Sequence, residues 1–298
     1  MRVEKKLNYK KIKPFMAVMF ALSALWALLF IGLMLWGLFA SFKTVDGFRS
    51  DVLGFPKEWA FGNYSSVFKY FHVEIFDKTA LSQRSVGMAE LAINSLLYVF
   101  GCAFAGTATP FLMAYLNVKF RYKFSKIVYA VVIVTMVLPI VGAGPSELRV
   151  LRLLGLYDTW GGIWIQRANF LGFYFLLLYA AFRGVPKELS EAAYVDGASE
   201  LRTMLQIVMP LARNAFLVVF ILSGIRFWNE FQPVLIYLPT HPTMATALFN
   251  LSRSSINELN NVPMQVAGCY MFMAPVLILL IVFHKKIMGN VQVGGLKE

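Results

Sequence analysis

Two stretches of this sequence carry no charge at all: residues 14–42, between Lys13 and Lys43, and residues 91–118, between Glu90 and Lys119. Each exceeds the roughly 20 residues that a helix needs to cross about 30 Å of hydrocarbon. A surface helix of a soluble domain keeps a polar face, so two such runs point to lipid as the solvent. Composition agrees: 58% of residues are hydrophobic and only 15% charged, against about 25% charged in an ordinary soluble domain. The net charge of +12 does not argue for nucleic acid. The basic residues cluster at the ends of apolar runs and do not line one polar face.

Hydropathy predicts an all-α integral membrane protein with six transmembrane helices, at 15–41, 91–116, 127–144, 163–182, 214–238 and 264–283. The first is a retained anchor, because its apolar region is too long for the roughly 7–15 residues of a cleaved signal. Lys and Arg near span ends set the orientation. With the N-terminus inside, segments 1–14, 117–126, 183–213 and 284–298 hold 17 of the 28 Lys and Arg residues. The short loop bearing Lys119, Arg121, Lys123 and Lys126 weighs most. Both termini are expected in the cytoplasm, and Arg167 falls at the outer end of span four.

The chain divides into a cytoplasmic N-terminus (1–14), a first span with a long outer loop (15–89), a transmembrane core (90–284) and a cytoplasmic tail (285–298). Phe55, Trp59, Phe61 and Tyr64 in the outer loop suit the membrane–water interface. Leu148, Leu151, Leu154 and Leu156 approach helical spacing and predict a short amphipathic surface helix. Pro139 and Pro275 lie inside spans and are expected to kink them.

Catalytic machinery is missing from the pattern. There is no G-x-x-x-x-G-K-[ST] phosphate loop, no H-E-x-x-H and no G-x-S-x-G elbow. His72, His241 and His284 are scattered, and Cys102 and Cys269 sit in spans as small apolar residues. No catalytic or metal-binding residue and no cofactor is expected on this chain. A membrane-embedded lipid enzyme is disfavoured for the same reason.

The cytoplasmic segment 183–213 carries the most information. Pro186 suits a first helical turn. Glu188 and Glu191 complement the positive end of the helix dipole. Ala192 and Ala193 permit close approach of another surface. Gly197 can take positive φ and end the helix, and Ser199 can cap a second one running to Pro210. Such a charge-balanced helical elbow is built for a protein partner. In span five, Arg226, Trp228, Asn229 and Glu230 place polar groups near the middle of the bilayer. Charges there usually face a bundle interior or a wet cavity, and Arg226 and Glu230 are spaced to pair on one helix face. Pairing alone or lining a solute path are both compatible with that spacing.

The run Glu191-Ala192-Ala193, Asp196-Gly197-Ala198, Ile207 and Pro210 resembles the EAA loop of ATP-binding cassette importer permeases, in particular the second permease subunit of the maltose-type carbohydrate branch. Phe182 to Leu189, Asn94-Ser95, Ser41-Phe42-Lys43, Phe227 to Phe231 and Gly294 to Lys297 are similar to that family as well. Met209 and Asn214 depart from it, where leucine and a second proline are usual. The resemblance implies the type I importer transmembrane fold. It also implies a heterodimer with a second permease, two ATPase subunits that use ATP and Mg, and an extracytoplasmic solute-binding protein in the bacterial cytoplasmic membrane. Glu191 would anchor in the ATPase, Ala192 and Ala193 would pack closely, and Gly197 would set the angle of the loop. The solute would be a sugar, di- or oligosaccharide. A polyol, peptide or amino acid permease is the near alternative. An ion-coupled secondary transporter using the Arg226–Glu230 pair is the remote one.

Overall fold

A computed structural model describes residues 14–77, 82–120, 123–138, 142–251 and 259–291. The chain forms two compact units, one from residues 1–70 and 255–271 and the other from 71–254 and 272–298.

In the first unit, α1 (Pro14–Ser41) is apolar all round and buries only Gly37, Ala40 and Ser41, close to its C-terminal end. Phe20 is 77% exposed, as expected of a helix whose partner is lipid. At Gly37 a Cβ would meet the Tyr270 hydroxyl at 2.9 Å; that hydroxyl donates to the Met34 carbonyl. Beyond the helix end the chain turns sharply. Asn63 Nδ2 donates to the carbonyls of Ser41 (2.8 Å) and Lys43 (2.9 Å). Lys43 is only 3% exposed and donates to the carbonyls of Asp51 (2.5 Å) and Val52 (3.3 Å). Burial of that ammonium is tolerable because hydrogen bonds replace its water. The helices α2 (Val45–Ser50) and α3 (Gly62–Tyr70) flank an aromatic cluster. Phe42 contacts Trp59, Phe61 and Tyr64 at ring-centroid distances of 5.5, 5.1 and 5.2 Å.

The second unit opens with a feature absent from the all-α expectation, an antiparallel hairpin of β1 (His72–Asp77) and β2 (Ser82–Gly87). Val73 faces Val86, and Ile75 faces Arg84. Val73, Ile75 and Val86 are buried, and Glu74 and Phe76 exposed, so the period-two alternation of a half-buried strand overrides the loop assignment. The chain continues through α4 (Met88–Lys119), α5 (Lys123–Val137), α6 (Gly144–Leu153), α7 (Trp160–Arg167), α8 (Phe173–Arg183), α9 (Glu188–Val195) and α10 (Glu200–Thr203). A π-helical segment (Met204–Val208) leads into α11 (Met209–Trp228), followed by α12 (Gln232–Tyr237), α13 (Met244–Leu251) and α14 (Val262–Val291). The long α4 is the hub, packing against α5, α7, α8, α11 and α13. Asn94 and Ser95 near its start hold the entrance to α13: Asn94 Nδ2 donates to the Pro242 carbonyl (3.1 Å) and Ser95 Oγ accepts from the Met244 N–H (2.7 Å). One core gathers Phe111, Val132, Phe175, Leu178, Phe182 and Val219. The other gathers Tyr98, Cys102, Ile163, Phe227, Val234 and Leu238.

Four helical runs among the described residues are long and apolar enough to cross a bilayer: Pro14–Ser41, Met88–Lys119, Glu200–Trp228 and Val262–His284. They correspond to expected spans one, two, five and six. Spans three and four appear as the shorter apolar helices Phe124–Val137 and Phe173–Arg183. Helix α5 stops before Leu138, since the residue preceding a proline avoids the helical region; Pro139 itself lies outside the described residues. Expected span four is split in two, because Gly172 takes φ +112° and Asn169 Oδ1 accepts from the Leu171 N–H at 3.1 Å. Span five ends at Trp228, ten residues early. A helix through Pro233 would set the proline ring against the carbonyl of Asn229, so the chain breaks at 229–231 and restarts at Gln232. Helix α14 continues through Pro275. In the predicted surface helix Leu151 is buried, Leu148 and Leu156 pack on the second core, and Leu154 remains exposed.

Candidate functional site

The segment 183–213 forms a helical elbow. Pro186 precedes α9 by two residues and does not sit in its first turn. The helix ends as expected: Gly197 adopts φ +78°. The Gly197 N–H reaches the Tyr194 carbonyl (3.0 Å) and the Ala198 N–H that of Ala193 (2.9 Å). This pair of bonds satisfies carbonyls that a helix C-terminus otherwise leaves orphaned. Ser199 Oγ then accepts from the Arg202 N–H at 3.3 Å and caps α10.

The second helix does not stop at Pro210. A π turn at Met204–Val208, closed by the bond from the Met209 N–H to the Met204 carbonyl, takes up the proline whose ring would otherwise strike the carbonyl four residues back. Helix therefore runs unbroken from Glu200 to Trp228.

Within the elbow the motif residues separate. Glu191, Ala192, Asp196, Gly197 and Pro210 are exposed, Ala198 and Ile207 half-buried, and Ala193 buried. Only one of the two alanines expected to meet a partner can do so. Val195 is 88% and Leu201 62% exposed, an apolar surface beside the turn. The elbow is tied to α4: Lys119 Nζ donates to the Tyr194 hydroxyl and lies 4.4 Å from the centre of that ring. An open pocket of about 330 Å³ lies between them, lined by Lys119, Phe182, Glu191, Tyr194 and Val208 among others.

The polar residues of span five sit at the end of a helix, where the mid-helix placement expected from hydropathy fails. Arg226 is in the last turn of α11, Asn229 caps it, and Glu230 lies in the break. Glu230 Oε2 accepts hydrogen bonds from the Tyr98 hydroxyl (2.9 Å) and Arg167 Nη2 (3.0 Å). Its Oε1 faces Arg226 Nη2 at 3.6 Å, beyond hydrogen-bond length. The Arg167 and Glu230 side chains are 18% and 19% exposed, and Arg226 59%. Both guanidinium carbons lie 5.6 Å from the centre of the Phe227 ring, a favourable position for a cation. Trp228 turns away, donating Nε1 to the Phe272 carbonyl at 3.0 Å. Asn229 Nδ2 folds back to the Ile225 carbonyl at 2.8 Å. Of the four expected residues the structure thus joins Arg226 and Glu230, and it adds Arg167 and Tyr98, which sequence spacing did not reveal. The signals that point to them are Gly172 and Pro233, which break the two spans and bring their broken ends to α4.

Apolar membrane-length helices, two spans interrupted at a shared polar cluster, and an exposed helical elbow define a multi-span membrane protein. The model of the binding-protein-dependent transport system inner membrane component family matches residues 106–289, and the chain belongs to that family. It is therefore the permease component of an ATP-binding cassette importer, a multi-pass protein of the cytoplasmic membrane, and the family works with ATPase and binding-protein partners. The chain is 26% identical over 285 residues to the diacetylchitobiose uptake system permease protein NgcG of Streptomyces coelicolor, covering 95% of this chain and 89% of that one. It is 26% identical over 243 residues to the arabinooligosaccharides transport system permease protein AraQ of Bacillus subtilis, covering 81% and 80%. The structure of a bacterial ABC transporter involved in import of the acidic polysaccharide alginate superposes with a TM-score of 0.73 at 22% identity, over 91% of this chain and 95% of that one.

Proposed function

We propose that this chain is one of two different permease subunits of an ATP-driven importer for a di- or oligosaccharide, with both termini in the cytoplasm. The observation that carries the reading is the exposed, rigidly terminated elbow at 188–203. A surface-exposed helix pair continuous with a membrane-length helix can receive a push at one end and transmit it along the span. Two separate ATPase subunits would supply that push by binding and hydrolysing ATP with Mg, and no cofactor would reside on this chain. Glu191 and Ala192 would meet the ATPase, with Val195 and Leu201 beside them. Ala193 would hold α9 to its own subunit, Asp196, Gly197 and Ala198 would fix the turn, and Ile207 and Pro210 would mark the junction with the span. Rigid-body rocking of the bundle would then switch access between the two sides.

The sugar assignment is supported by the relatives named for oligosaccharide uptake and by the chemistry at Glu230. Hydroxyl groups need charged or polar partners, and Arg226, Asn229 and Glu230 would offer them along the path, while Trp228 would brace the helix end through its bond to the Phe272 carbonyl. Specificity would rest largely with the binding protein. The test is reconstitution in liposomes with the partner permease and binding protein, with and without the ATPase subunits. The binding protein is screened beforehand against di- and oligosaccharides, polyols, peptides and amino acids. Uptake is expected only with the ATPase and ATP, and binding only among the sugars. Accumulation without a nucleotide-hydrolysing subunit would overturn the mechanism, and so would labelling of the 183–213 elbow by an impermeant reagent added outside.

A further inference from the structure

Both interrupted spans end at the same place. Arg167 is the last residue of α7, immediately before the break at 168–172, and Glu230 lies in the break between α11 and α12. Their ion pair of 3.0 Å joins the two breaks, and Tyr98, on the unbroken α4, donates to the same oxygen of Glu230. Non-helical backbone at membrane depth is tolerated where it is packed in protein or lines a wet cavity. Ala168, Asn169 and Asn229 are exposed, so the rest of this chain leaves both breaks uncovered. The stretch before the first break is also rich in spare hydrogen-bonding capacity. Trp164 Nε1, Gln166 Oε1 and Arg167 Nε are buried and bond to no described residue.

We infer that Arg167 and Tyr98 are positioning residues of the solute path: they hold Glu230 by Oε2, so that Oε1 and the exposed Arg226 guanidinium stand side by side as an acceptor and a donor for adjacent hydroxyls of a passing sugar. A carboxylate and a guanidinium set next to each other complement a vicinal diol, one hydroxyl donating and its neighbour accepting. Without its two donors, Glu230 swings to Arg226 four residues back, and the pair closes on itself. The inference rests on the reading of this region as the solute path and adds to it the residues that set its geometry.

The test needs no knowledge of the solute. The complete transporter is treated with a water-soluble carbodiimide and glycine ethyl ester, and amidation of Glu230 is followed by mass spectrometry in wild type, Arg167→Met, Arg167→Lys and Tyr98→Phe. Arg167→Met is expected to change the amidation rate about tenfold, the weight of a charge-assisted hydrogen bond. Tyr98→Phe should change it less, and Arg167→Lys should stay close to wild type. Identical rates in all four proteins would overturn the positioning role. No amidation of Glu230 in any of them would instead show that the carboxyl is not reached by water, which sinks the path reading itself. Uptake of the sugar returned by the binding-protein screen adds a second readout: a raised KM with little change in kcat for Arg167→Met, largely restored in Arg167→Lys. Equal loss in both substitutions would mark a merely structural pair. Should Arg167→Met fail to assemble, Tyr98→Phe carries the same comparison.

Discussion

The cytoplasmic elbow and the Glu230 cluster are held in opposite ways. In the elbow the bonds that shape the turn join residues three to five apart, such as Ala198 to Ala193 and Ser199 to Arg202, with one long-range tie from Lys119 to Tyr194, and Glu191, Ala192 and Asp196 are exposed. In the cluster the bonds span 63 and 132 residues, and Arg167 and Glu230 are four-fifths buried. Local bonding lets the elbow keep its shape while its surface stays free for a partner. Long-range bonding makes the cluster a keystone, so that a change there is felt by three helices.

That contrast predicts separable phenotypes. The largest effect is expected from Glu191→Lys or Ala192→Phe: uptake and solute-stimulated ATP hydrolysis are lost, while membrane insertion and the melting temperature of the purified subunit stay at wild-type values. Retained uptake in both would remove the elbow from the coupling path. Glu230→Ala reverses the pattern, because it leaves Arg167 uncompensated. Fully buried pairs broken in this way cost about 3–5 kcal/mol, and about 2–3 kcal/mol is expected at this partly exposed site, seen as a lower melting temperature together with lost uptake. An unaltered melting temperature would break the contrast.

Inside the elbow, Ala193→Phe sharpens it. Overfilling the buried site should destabilise by about 1–3 kcal/mol, unlike the same change at exposed Ala192. Gly197→Ala meets open space, since no atom lies within 4 Å of an added Cβ, so only backbone strain of about 1–2 kcal/mol is expected. Reduced coupling with nearly normal stability would show that the angle of the turn matters. The smallest effect concerns the outer loop. The N–H of Gly54 donates to Asp51 Oδ1 at 2.8 Å and holds that carboxyl below its ordinary 3.8. A lowered folded-state pKa contributes stability above the ordinary value, lost as pH falls through the folded one. Proteolysis of the 51–54 turn should therefore accelerate only below about pH 4, and Asp51→Asn should remove that dependence.

The same contrast explains what could be read before the fold was known. Gly197 and Ser199 act within a turn or two of themselves, so their geometry follows from residue type and spacing, whereas which of Ala192 and Ala193 is covered depends on packing against the rest of the chain. The membrane-length runs were legible for the same reason. The Glu230 network was not, because helical spacing offers Glu230 only Arg226 and hides Arg167. The hairpin escaped notice because its alternation at Val73 and Ile75 is only a few residues long. The breaks in spans four and five left traces in Gly172 and Pro233, but hydropathy averages over single residues.

The π turn at Met204–Val208 has a mechanical consequence of its own. One surplus residue within a helix of about 3.6 residues per turn advances the angular phase by about 100°. The elbow and the membrane-crossing part of Glu200–Trp228 therefore share an axis but not a clock position. Removing Gln206 would close the surplus turn, set the Pro210 ring against the carbonyl of Leu205, and aim the rod's lower end at the wrong quarter of the compass.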